Sequence, residues 1–109
     1  MKFEIADGTV LVRDDCPGAY ATLFVAKGKL SKVLDRCSFD DAARDYLWVF
    51  ACDVPMKKGA VLVFATADRE VAAEIGAGGE VLVSDHKVTV SRADTGEPIK
   101  VKVKTKWFG

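Results

Sequence analysis

Short apolar runs alternate with polar breaks along the chain, and the period of each run predicts its element. Residues 2–5 and 9–13 alternate around Asp7-Gly8, a turn dipeptide, and read as an opening hairpin. Asp14-Asp15-Cys16-Pro17-Gly18 breaks that pattern, with Pro17-Gly18 as a strong turn signal. The run 19–26 (AYATLFVA) is apolar, aromatic and β-branched, so it reads as a buried strand closed by Lys27-Gly28-Lys29. Residues 30–37 fit either a helical turn or an irregular strand, because Leu30, Val33, Leu34 and Cys37 keep the spacing of one helix face. Ser38 followed by Asp40 and Asp41 has the chemistry of a helix start: a side-chain oxygen for orphan amides, then carboxylates at the positive end of the dipole. The expectation is a short helix over 39–46 passing into a strand over 47–52, with a helix through residue 51 as the alternative. Val54-Pro55 ends either one, since Pro lacks the donor and restricts its predecessor.

The second half punctuates more sharply. Residues 56–59 form a turn and 60–66 (AVLVFAT) a buried strand. A helix is expected over 67–75, capped by Thr66 or Asp68. Val71 and Ile75 lie one turn apart on it, and its alanines favour helix. Gly76 stands where a left-handed C-terminal cap belongs. Residues 80–84 and 87–92 read as a hairpin around Ser84-Asp85-His86-Lys87, 94–98 as a turn, and 99–107 as the last strand. The fold class is mostly β, within β or α+β. It is a small barrel or sandwich of about six to seven strands with one or two short helices, 1–109 forming a single domain.

Composition narrows the function classes. The chain has 109 residues, with 16 Lys and Arg against 16 Asp and Glu. Zero net charge argues against a dedicated nucleic-acid binder, and half the residues being hydrophobic argues against disorder. Glu4 and Asp7 interrupt any leader-like apolar run, and 46–52 is far shorter than the roughly 20 residues that span a bilayer. A cytoplasmic, membrane-free protein is the expectation.

Few residues offer chemistry. Cys16, Cys37 and Cys52 contain no CxxC spacing, so they read as structural thiols. Gly76-Ala77-Gly78-Gly79 follows the expected helix and precedes a strand, the reverse of the order in which helix amides cradle a phosphate. Asp14-Asp15 and Asp40-Asp41 lack the local spacing of a hard-metal loop and read as solvated loop and helix-cap groups. His86, the lone histidine, falls in the 84–87 hairpin tip. No catalytic residue, cofactor site or metal site is assigned, and the chain is not expected to be an enzyme. A cleft lined by two of Cys16, Cys52, Asp14 and His86 would change that expectation.

The last strand carries the most regular pattern. Ile99, Val101, Val103, Thr105 and Trp107 alternate with Lys100, Lys102, Lys104 and Lys106. The lysine row reads as a solvated edge that resists aggregation, or as a contact stripe for an acidic partner. Trp107 and Phe108 either fold back on the core or dock into another subunit. Lys100, Lys102, Lys104, Lys106, Trp107 and Phe108 are therefore the candidate interface residues. With few aromatic platforms beside the lysines, a protein partner is favoured over nucleic acid, and no sequence-specific nucleic-acid binding is expected.

Residues 60–104 resemble the stopper-type head–tail joining proteins of tailed bacteriophages. The matching pieces are the apolar run 61–66, then Asp68 with Val71 and Ile75, then Gly79, EVLV and VTV around a polar tip, and finally Thr95-Gly96 with Val101 and Val103. The resemblance implies a small barrel that assembles into rings at the neck of the virion, without catalysis. Its partners would be copies of itself and the neighbouring portal-adaptor and tail proteins, and it would be made in the bacterial host cytoplasm. The alternative is a small cytosolic binding or inhibitor module from a phage or mobile element, using the basic strand face against an acidic partner.

Overall fold

The Asp7-Gly8 hairpin forms as expected, pairing β1 (Lys2–Ala6) with β2 (Thr9–Asp14), and Gly8 takes a left-handed φ of 72° at its turn. The computed structural model describes residues 1–15, 21–27, 29–35, 37–67, 69–85 and 87–104; over 26–35 the description is of backbone only. The further strands are β3 (Ala21–Lys27), β4 (Lys29–Asp35), β5 (Cys37–Asp40), β6 (Asp45–Phe50), β7 (Val61–Ala65), β8 (Glu70–Ile75), β9 (Val81–Val83), β10 (Thr89–Arg92), β11 (Pro98–Ile99) and β12 (Val101–Val103). The described residues thus hold twelve strands, more than the sequence suggested, and no helix. They hold no helix long and apolar enough to cross a membrane.

The strands make two mixed sheets of six. One runs β11-β10-β1-β2-β6-β5 and the other β12-β9-β8-β7-β3-β4. Most neighbours are antiparallel; β1–β10 and β9–β12 are parallel. Both sheets turn one face to a shared core. Val10, Val12, Trp48 and Phe50 come from the first sheet, and Leu23, Leu62, Phe64 and Val83 from the second. Phe64 joins the sheets: its ring meets Phe3, Trp48 and Phe50 edge-to-face, at centroid distances of 6.4, 5.2 and 6.2 Å. Such pairs add about 0.5–1.5 kcal/mol each beyond the area they bury.

Three expectations are corrected. Residues 39–46 are not helical: β5 and β6 form a hairpin whose turn spans 41–44. The residue expected to cap, Ser38, instead donates to the Leu47 carbonyl across the hairpin at 3.4 Å, and Asp40 Oδ1 accepts from Ala42 N–H at 3.1 Å and Ala43 N–H at 3.2 Å. Arg44 then turns left-handed (φ 60°), which ends the turn instead of extending a helix. The described residues of 67–75 are not helical either, 70–75 forming β8. Val71, Ala73 and Ile75 face the core at period two, and β8 is paired on both sides, so cross-strand pairing overrides alanine's helix preference. Gly76 accordingly caps no helix; the left-handed residue in this turn is Gly79 (φ 81°). Third, β9 and β10 do not pair with each other. They belong to opposite sheets. Of the remaining open segment, 30–35 is extended within β4 and Cys37 opens β5.

Candidate functional site

The lysine strand is divided between the sheets. Pro98–Ile99 adds β11 to the edge of the first sheet, the chain crosses at Lys100, and Val101–Val103 adds β12 to the edge of the second. Lys100 and Lys102 are exposed. Lys104 is half-buried and donates to Glu74 Oε1 at 3.3 Å. Val103 is 49% exposed, so the apolar face of the strand loses the core at this edge. Val81 N–H donates to the Lys100 carbonyl and Lys104 N–H to the Val83 carbonyl, both at 2.8 Å. The even-numbered peptide groups therefore face β9, and those of Val101 and Val103 point away from the sheet. Of the six candidate interface residues, the structure places three on this edge. Lys106, Trp107 and Phe108 lie outside the described residues, as do Cys16 and His86.

One residue separates β11 from β12, and one residue separates β4 from β5, so each pair marks one flank. The β4–β5 flank is the far side of both sheets. Its Asp40 carboxylate is held below the ordinary carboxylate range, first by Ala43 N–H and then by Arg13. Asp41 is exposed. Phe39, 48% exposed, meets Tyr46 edge-to-face at 5.0 Å.

At one end of the sandwich two arginines organise a polar cleft of about 750 Å³. Arg13 Nε donates to Glu4 at 2.8 Å, and its Nη1 donates to Asp40 and Asp45 at 3.0 Å each. Those three carboxylates, led by Glu4, push the guanidinium above its ordinary value. Arg69 Nη1 donates to Asp14 at 2.6 Å, and Arg69 Nη2 lies 4.0 Å from Asp85. Asp14, read as a solvated loop group, is buried, and its pair with Arg69 ties the first sheet to the second. The missed signal was parity: Asp14 shares the inward phase of Val10 and Val12, and an inward carboxylate requires a partner. Arg13 and Arg69 themselves carried no sequence signal.

The cleft's cations and carboxylates largely neutralise one another, which suits a clamp between strands. Among the described residues no group of three or more His, Cys, Asp or Glu is arranged to hold a metal ion. Cys37 and Cys52 are free, half-buried thiols pushed above their ordinary value by burial, with Asp53 adding to the effect at Cys52. No protein-family model, curated protein or solved structure matches the chain.

Proposed function

We propose that the chain is a structural virion protein of a tailed bacteriophage, a ring-forming component of the head–tail connector or a capsid-associated assembly. It works by protein–protein contacts and without catalysis. The observation that carries this reading is the unlike character of the two flanks: the open β12 edge exposes Lys100, Lys102 and Val103, whereas the flank beside β5 exposes Phe39 and a turn of mixed charge with Asp41 and Arg44. A molecule of this kind presents one surface to a different surface of its neighbour, the contact type that closes into rings. The order of apolar segments over 60–104 supports the link to stopper proteins, although β8 stands where that pattern has a helix.

The test is particle incorporation. A tagged chain, expressed together with its neighbouring structural genes, is expected in purified particles by mass spectrometry and at the neck by labelled negative-stain imaging. A chain that never enters particles overturns the reading. Exposure of both Lys100 and Lys102 favours a second reading, a cytosolic module that holds an acidic protein. That reading expects a soluble complex that is lost on reversing both charges.

A further inference from the structure

We infer that the outer face of the second sheet is a self-complementary interface. A second copy of this chain docks on it face to face, about a two-fold axis that runs along the strands between β7 and β3. The inference uses a sheet face and not the flanks, and it does not depend on the virion reading.

The two outer faces differ in kind. β1 alternates, and its outward Lys2 and Glu4 join Arg13 and Asp45 in ion pairs on the outer face of the first sheet. The middle of the second sheet has no polar phase. Its inward residues Leu23, Leu62, Phe64 and Ala73 fill the core, and the outward positions between them are apolar as well. Those are Val61, Val63 and Ala65 on β7, Phe24 on β3 and Ala72 on β8. Val61, Val63 and Ala65 are only half-buried. Strands apolar in both phases are the pattern of a sheet covered on both sides. Among the described residues no third layer lies over this face.

Charge and register name the occupant. Ala72, Val63, Phe24 and Lys32 are successive register partners on β8, β7, β3 and β4, and so form one row across the sheet. On β8, Glu70 and Glu74 share the outward phase of Ala72, one step to either side of that row. Glu70 is exposed, and Glu74 also accepts from Lys104. A two-fold axis along the strands keeps the level of every residue and exchanges left with right. Placed between β7 and β3, it lays β7 of one copy over β3 of the other, and β8 over β4. Apolar positions then meet apolar positions at the centre. The Lys32 position of each copy falls opposite β8 of the other, between Glu70 and Glu74, and symmetry makes this contact twice. Four strands about 4.8 Å apart, with three outward positions about 7 Å apart on each, give roughly 400 Å² of face per copy, the size of a reversible contact.

The experiment is sedimentation velocity of the full chain over a concentration series, with a circular-dichroism spectrum of each variant. The wild type is expected to pass from monomer to a discrete dimer between about 10 μM and 1 mM. Val63→Lys sets a charge at the centre of the contact, at a position that meets water in the monomer. It is expected to stay monomeric with an unchanged spectrum. Should its spectrum collapse, Val63→Thr, of the same shape, carries the test, with a weakening of about three- to tenfold. Lys32→Glu is expected to weaken the dimer by about tenfold, because it sets like charges together, and adding Glu70→Lys to the same chain is expected to restore it. Within one copy β7 and β3 separate these two positions, so the restoration reports a contact between copies. A wild type monomeric up to about 1 mM, larger oligomers with no dimer plateau, a folded Val63 variant that dimerises like the wild type, or a double variant no tighter than Lys32→Glu would each overturn the inference. Particle incorporation is a separate readout. A dimer that never enters particles keeps this interface and removes the virion reading, and a monomer found in particles does the reverse.

Discussion

Asp14 and Arg69 show how a single inward phase governs a residue's fate. The Asp14 side chain is 6% exposed and that of Arg69 33%, so their pair lies between the buried and surface regimes. Removing one charge from a fully buried pair costs about 3–5 kcal/mol, and surface pairs contribute about 0–1 kcal/mol. Asp14→Asn keeps the shape and the acceptor for Asp15 N–H while deleting the charge. We expect a loss of about 1–3 kcal/mol in urea denaturation, between those regimes. A loss within error of zero would mean that Asp85 takes over the guanidinium. Trp48 is fully buried and its indole N–H meets no acceptor among the described residues, where aromatic packing holds this ring.

At the level of elements, period-two runs were legible and their partners were not. The opening hairpin followed from alternation around a turn dipeptide, and β3 and β7 from continuous apolar, β-branched runs. The segment around β8 misled because Val71 and Ile75 satisfy a helical spacing as well as a strand's, and only β7 and β9 on either side decide between them. The division of β11 from β12 was also hidden. Unbroken alternation runs through Lys100 although the sheet changes there. The candidate site was legible to the extent that the lysines outlined an edge. The β5–β6 turn was not, since Asp40 and Asp41 read as a helix start.

The turn between β8 and β9 gives a sharp test of its two glycines. Gly76 has ordinary φ but is buried, and a Cβ there would collide with the Glu80 carboxylate. That carboxylate ends a flexible side chain and can swing away. Gly79 has open space around it but φ of 81°. Gly79→Ala is expected to cost about 1–2 kcal/mol, the left-handed penalty of an L residue. Gly76→Ala should cost less than about 1 kcal/mol, and Glu80→Ala should suppress even that. Chemical denaturation of the two single variants and the double variant measures the order. The reverse order would show that Glu80 is held in place.

For the whole molecule, stability should depend on acid. Asp40 has a folded-state pKa below the ordinary 3.8. A group lowered in this way contributes its full stabilisation above the unfolded value and loses it as pH falls through the folded value. Melting temperature should therefore fall as pH drops below about 3.8, and Asp40→Asn should flatten that limb while lowering stability at neutral pH. Thermal melts of both proteins across the acid range measure it. Parallel limbs would show that Ala42 and Ala43 amides and Arg13 do not favour the ionised form.

The parallel pairing of β1 with β10 has a kinetic consequence. β1 lies between β2 and β10, so its register on one side waits for residues 89–92, translated long after it. Loop closure over that separation is entropically costly, and chains dominated by distant pairings fold slowly. On the ribosome, β1 and β2 can close as a hairpin early, while the first sheet stays incomplete until β10 emerges. β12, the open edge of the second sheet, follows later still, behind β10 and β11. Synthesis order itself thus delays exposure of that edge until the strands it needs for support exist.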